Sequence, residues 1–185
     1  MICVGDSNTF GYDPRNFWGG RYDHSWPELL AHELGCQTVN LGENGRTIPD
    51  ALTWKSLDQD ICWELPASHL LVMLGTNDVL NAVRPDERVI AAHMEEYLHH
   101  LQAEFPTVKL VLMAPPPIGI TERGLNQTAK RLAGCYQELA DRMGLWFVDA
   151  GAFDLRLACD GVHLTQEAHQ VFAYRMAEQL KQDSF

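Results

Sequence analysis

Five short apolar runs, at 1–4, 38–41, 70–74, 109–114 and 145–149, are bounded by Gly, Asn, Asp or Pro and separated by amphipathic stretches. That rhythm constrains the fold more than any single residue does. Apolar runs of this length, without polar alternation, read as strands buried on both faces. Strands alternating with helices over short connections imply a parallel sheet covered on both sides and joined by right-handed crossovers.

The helices between them have legible ends. Ser25 with Glu28 three residues on forms a capping box, and Gly35 stops that segment. Asp86 opens a helix whose apolar side is Val89, Ile90, Met94, Tyr97, Leu98 and Leu101, ended by Pro106. Another spans roughly 126–142, and the last begins at Thr165 and carries Ala168, Val171, Phe172, Met176 and Leu180. The expected architecture is a three-layer α/β/α sandwich with a five-stranded parallel sheet of flavodoxin-like type. At 185 residues, the whole of 1–185 reads as one domain able to bury roughly 70% of its unfolded surface.

Charge excludes some partners. Fourteen Lys+Arg stand against twenty-five Asp+Glu, a net of −11, which opposes binding to nucleic-acid backbones or anionic membranes. Five cysteines are an odd number without Cys-x-x-Cys spacing, so a disulfide framework and a zinc ribbon are both poor readings. Buried free thiols in a reducing cytoplasm fit better. The opening residues lack the basic region of a signal peptide, and no run approaches the roughly 20 apolar residues of a membrane span.

In parallel α/β sheets, ligands bind beyond the carboxyl ends of the strands near the topological switch point. The residues following the strands should therefore carry the chemistry. After the first come Gly5-Asp6-Ser7-Asn8-Thr9; after the second, Gly42-Glu43-Asn44-Gly45-Arg46-Thr47; after the third, Gly75-Thr76-Asn77-Asp78; before the last helix, Asp160-Gly161-Val162-His163. A nucleophilic serine needs a base to take its proton and a carboxylate to hold that base in the right tautomer. Ser7, His163 and Asp160 supply those three groups. An oxyanion needs fixed donors, for which the N–H groups of Ser7 and Gly45 and the side-chain amide of Asn77 are candidates. Gly42 competes with Gly45, and the Arg46-Thr47 that follows favours Gly45.

These four blocks, in order and in a matching strand–helix rhythm, resemble those of the SGNH, or GDSL-type, hydrolases. Gly5-Asp6-Ser7-Asn8-Thr9-Phe10-Gly11-Tyr12, the run from Val111 to Pro117, and Phe147-Val148-Asp149-Ala150-Gly151 resemble its arylesterase-like, acyltransferase-related branch. The resemblance implies the SGNH hydrolase fold and hydrolysis of small carboxylic esters, with no metal and no organic cofactor. It implies a small-molecule ester as partner and leaves homo-oligomerisation open. Two details depart from the pattern. Many members carry an apolar residue after the serine, where this chain has Asn8, and the first strand lacks one or two lead-in residues before Met1, which reads as a truncated or early start.

Blander readings stand beside these. A Gly-Asp-Ser triplet alone is usually a turn, and only its company makes Ser7 a nucleophile. Asp6 and Asp78 read as loop supports through hydrogen bonds. Cys159, next to Asp160, reads as a buried inert thiol, and the five tryptophans read mostly as core. Phe10, Tyr12, Trp18, Pro116 and Val162 are the candidate walls of a substrate pocket. Two rival functions remain: an O-deacetylase of acetylated carbohydrates on the same residues, and a non-catalytic flavodoxin-like binding module. The second lacks both Gly-x-Gly-x-x-Gly and a P-loop. Gly-x-Ser-x-Gly is also absent around Ser7, so the α/β-hydrolase elbow is not the template.

Overall fold

The computed structural model describes residues 1–16 and 19–182. Five parallel strands run β1 (Ile2–Gly5), β2 (Val39–Gly42), β3 (His69–Met73), β4 (Lys109–Ala114) and β5 (Trp146–Asp149), in the spatial order β2-β1-β3-β4-β5. The chain leaves β1 for a neighbour on one side and returns as β3 on the other. The switch point therefore lies between β1 and β3.

The strands are mainly apolar because both faces are covered; the polar residues in them are Asn40 on β2, His69 and Lys109 at the starts of β3 and β4, and Asp149 at the end of β5. Along β1, Ile2 and Val4 enter one core while Cys3 enters the other; along β3, Leu70 and Val72 part from Leu71 and Met73 in the same way. The first core is roofed by α3 (Trp54–Trp63), α5 (Glu87–Glu104) and α6 (Leu125–Met143), through Ile61, Met94, Leu98, Leu132 and Tyr136. The second lies under α2 (Trp26–Leu34) and α7 (Gln166–Gln182), where Trp26 stacks on Phe172 at 4.6 Å between ring centroids. Each such buried side chain contributes about 1.5–3 kcal/mol relative to exposure.

Helix ends follow the residues expected of them. Glu28 accepts from Ser25 N–H at 3.0 Å in the capping box, and Asp86 accepts from Arg88 N–H at 2.9 Å. Two short helices escape a periodicity reading because neither is long enough to show a stripe: α1 (Ser7–Phe10) and α4 (Thr76–Asn81), each just after a central strand.

One expectation needs correction. Of the thiols only Cys3 is buried; Cys36, Cys62 and Cys159 are exposed and Cys135 is intermediate. Of the described tryptophans Trp26 is fully buried and Trp54 and Trp146 pack partly buried against the two cores, as a mostly core reading expects, but Trp63 at the end of α3 is 79% exposed. No helix among the described residues is long and apolar enough to cross a membrane.

Candidate active site

Ser7 opens α1 immediately beyond β1. Asp6 caps that helix, its carboxylate accepting from Asn8 N–H at 2.9 Å. The far end of α1 is tied down as well: the Thr9 carbonyl accepts from Asn40 Nδ2 at 2.9 Å and Ser25 Oγ at 3.2 Å, and the Phe10 carbonyl from Arg21 Nε at 2.7 Å. Gly42 on β2 is required here, because a Cβ would lie 2.2 Å from Phe10 N. Its own N–H donates to Asn40 Oδ1 at 2.9 Å. Both observations assign Gly42 to packing rather than to an oxyanion.

His163 arrives from the other end of the chain. Its Nε2 stands 2.9 Å from Ser7 Oγ, and its Nδ1 stands 2.6 Å from Asp160 Oδ2. The second oxygen of Asp160 accepts from the N–H groups of Val162 (2.9 Å) and His163 (3.0 Å), so one carboxylate shapes the turn and orients the ring together. Burial pushes Asp160 upward, yet the hydrogen bonds from His163 and those two amides outweigh it and hold the carboxyl below its ordinary value. With Asp160 ionised, Nδ1 carries the proton and Nε2 faces Ser7 Oγ as an acceptor.

The loop after β2 is braced from three sides. The Arg46 guanidinium donates to the Gly5 carbonyl at 3.2 Å, to the Leu41 carbonyl, and to Glu43 Oε2 at 2.7 Å. Asn77 Nδ2, from α4, donates to the Arg46 carbonyl at 2.9 Å, which leaves its second amide hydrogen free of that bond. Asp78 accepts from Ile48 N–H at 3.2 Å. Burial raises the Asp78 carboxyl above its usual range, partly offset by that N–H. Gly45 sits at φ 78°, a left-handed conformation that glycine adopts without steric cost, and open space lies where its Cβ would be. Sequence reasoning placed Asp6 and Asp78 as loop supports and missed Arg46 and Asn8; an arginine inside the second block was the available signal for the former.

The pocket candidates scatter. Tyr12 lies against His163, 4.6 Å between ring centroids, while Phe10 is covered by Arg21 at 5.2 Å. Pro116 is buried beyond β4, and Val162 contributes its carbonyl beside His163. Trp18 lies outside the described residues. Gly45 also borders a recess of ≈ 320 Å³ lined by Glu43, Asn44, Thr47, Leu57 and Asp60 among others, which includes none of the expected pocket residues and neither Ser7 nor His163. Among the described residues, no group of three or more His, Cys, Asp and Glu side chains is arranged to hold a metal ion.

A family model described as GDSL-like Lipase/Acylhydrolase family matches residues 3–171. No curated protein matches the sequence. Among solved structures, the chain is similar to the native aryl esterase of M. smegmatis, at 26% identity and a TM-score of 0.83, covering 98% of this chain and 97% of that one. It is similar in the same degree to Est24, a carbohydrate acetylesterase from Sinorhizobium meliloti, at 26% identity and a TM-score of 0.82, with coverage of 98% and 97%. A member of the lipolytic protein G-D-S-L family from Veillonella parvula shares the fold at 19% identity and a TM-score of 0.76, covering 97% of each chain.

Proposed function

The chain belongs to the GDSL-like lipase/acylhydrolase family, and on that premise we propose that it is a serine esterase that hydrolyses short-chain aryl or alkyl carboxylic esters through an acyl-enzyme on Ser7. The observation that carries this is the relay from Ser7 Oγ to His163 Nε2 (2.9 Å) and from His163 Nδ1 to Asp160 Oδ2 (2.6 Å).

Ser7 Oγ attacks the ester carbonyl as its proton passes to His163 Nε2, and Asp160 stabilises the imidazolium without taking the proton. The Ser7 and Gly45 N–H groups and the free Asn77 amide hydrogen receive the oxyanion of the tetrahedral intermediate. Collapse breaks the bond to the alkoxy or aryloxy oxygen, which leaves with the proton from His163. A water molecule then gives its proton to Nε2 and attacks the acyl-serine, releasing the carboxylic acid and restoring Ser7 Oγ–H. All atoms come from ester and water. Three exposed thiols, Cys36, Cys62 and Cys159, suit a reducing compartment, and we assign the protein to the cytoplasm.

A fluorophosphonate probe tests the reading: covalent mass is expected on Ser7, and Ser7→Ala is expected to lower kcat by about 10³-fold or more with the fold intact. Near-full esterase activity in that variant overturns the assignment. A second reading, O-deacetylation of acetylated carbohydrates on the same residues, is favoured by the likeness to the Sinorhizobium meliloti carbohydrate acetylesterase. Greater kcat/KM on an acetylated sugar than on phenyl acetate selects it.

A further inference from the structure

The loop that bears His163 lies far from Ser7 in sequence, so something must fix its distance from the serine. Asn8 is placed to do so. Its Nδ2 donates to the Val162 carbonyl at 3.2 Å, and its Oδ1 accepts from Leu164 N–H at 2.9 Å. The two residues bonded are the immediate neighbours of His163, one on each side. Asn8 is 2% exposed, so water competes poorly for either bond, and its own N–H is held by Asp6 at 2.9 Å. An amide of this length both donates and accepts in one plane; Leu, Ala and an ionised Asp each lose at least one of the two bonds.

We propose that Asn8 is a positioning residue for His163: its side-chain amide locks the main chain on both sides of the imidazole to the turn that carries Ser7, and so sets the separation of Oγ and Nε2. The inference rests on the reading of Ser7 and His163 as nucleophile and base. Asp160 does a different job, since its bonds lie within the loop, at His163 Nδ1 and the N–H groups of Val162 and His163. Gly119 N–H, 2.7 Å from the Gly161 carbonyl, ties the loop to the segment after β4. Tyr12 packs on the ring without a hydrogen bond to it. Only Asn8 joins residue 7's own turn to both flanks of the base among the described residues.

Steady-state kinetics on p-nitrophenyl acetate, with melting curves, would be measured for wild type, Asn8→Ala, Asn8→Asp and Ser7→Ala. Misplacing a reacting group by about 1 Å costs on the order of 10²-fold. Asn8→Ala is therefore expected to lose about 30- to 100-fold in kcat, with KM within about twofold and fluorophosphonate labelling slowed in step. Asn8→Asp keeps the shape. Protonated, its carboxyl donates to the Val162 carbonyl and accepts from Leu164 N–H; ionised, it opposes that carbonyl. Its kcat/KM is expected to gain a descending alkaline limb that wild type lacks. The charged groups near position 8 are Asp6, Asp78 through its effect on Asp6, Asp160 and His163. They are common to both proteins, so the difference between the profiles reports on residue 8.

Asn8→Ala within about threefold of wild type, with Ser7→Ala inactive, overturns the positioning role and leaves the nucleophile standing. Retained activity in Ser7→Ala overturns the reading beneath it. Should Asn8→Ala fail to fold, Asn8→Asp carries the test, and a profile of wild-type shape refutes the inference.

Discussion

Replacing Asp6 with Asn should make this protein gain stability relative to wild type as pH rises to neutrality, while slowing it. Asp6 is fully buried at the start of α1. Burial pushes its carboxyl from 3.8 up to about 6, only partly offset by the Asn8 N–H and the nearby His163. Each unit is worth about 1.4 kcal/mol, so the rise amounts to about 3 kcal/mol. The sign follows from linkage. Below pH 3.8 the group is neutral in folded and unfolded chains alike and contributes nothing to the pH dependence. Between 3.8 and about 6 the unfolded chain ionises first, and stability falls as pH rises; above about 6 the full penalty is in place. Asn cannot ionise. Whatever constant cost its extra donor adds, the stability difference between Asp6→Asn and wild type should shift by about 3 kcal/mol in the variant's favour between about pH 3 and pH 7.5. At about 2–4 °C per kcal/mol for a chain of this size, the relative melting temperature should climb by roughly 6–12 °C over that range. Urea or thermal denaturation at four or five pH values measures this. Because the buried anion faces the positive charge that develops on His163, kcat is expected to fall by roughly 3–10-fold. A difference between variant and wild type that stays constant with pH, or moves the other way, refutes the argument.

Asn77→Ala is expected to lower kcat by about 10²–10³-fold with little change in KM, as removal of one oxyanion donor does; a raised KM with kcat unchanged would instead make Asn77 a ground-state contact. In a series of p-nitrophenyl esters, kcat/KM should be highest from acetyl to butyryl and fall beyond six carbons, because no insertion interrupts the strand–helix rhythm to form a lid and each methylene that clashes forfeits about 0.8 kcal/mol and adds strain. Highest efficiency on a decanoyl or palmitoyl ester would contradict this. His169 is buried with Nδ1 accepting from Trp26 N–H at 3.2 Å, and burial lowers it from 6.5 to about 4. Its contribution to stability is complete above pH 6.5 and is lost as pH falls through about 4, about 3 kcal/mol in all, so His169→Gln should flatten the acid limb of the stability curve; an unchanged limb counts against it.

What the sequence made legible follows from where one force dominates. The strands are readable because burial on both faces leaves mainly apolar side chains in β1 and β3, His69 at the start of β3 apart, and the ends of α2 and α5 because a cap such as Ser25 or Asp86 acts within a single turn. Ser7, Gly45 and Asn77 stand out by their place after strands, and Asp160 and His163 by their place before the last helix; the fold brings His163 to both Ser7 and Asp160 and sets Asn77 against the loop of Gly45. Exposure was less legible. Trp63 and Cys159 are residue types that usually sit inside, but their positions on a helix flank and on a surface loop are set by the tertiary arrangement. Arg46 and Asn8 escaped because their function lies in bonds to main-chain carbonyls and amides of remote segments, at Gly5, Leu41, Val162 and Leu164. A side chain that recognises backbone leaves no paired residue type for a sequence reading to find.

Two carboxylates, Asp6 fully buried and Asp78 partly buried, show where the fold accepts instability. Asp6 and Asp78 are both pushed upward by burial, so both oppose folding at neutral pH. Each accepts an N–H from a loop of the site: Asn8 on the serine turn for Asp6, and Ile48 just beyond Gly45 and Arg46 for Asp78. The cores on either side of the sheet are mainly apolar, with His169 beside Trp26 an exception. These two carboxylates place polar cost at the carboxyl ends of β1 and β3, where the topology switches direction. Neutral side chains there would oppose folding less at neutral pH, yet a carboxylate accepts main-chain N–H groups more strongly than a neutral oxygen does, which holds the serine turn and the loop beside Gly45 in place before the substrate arrives.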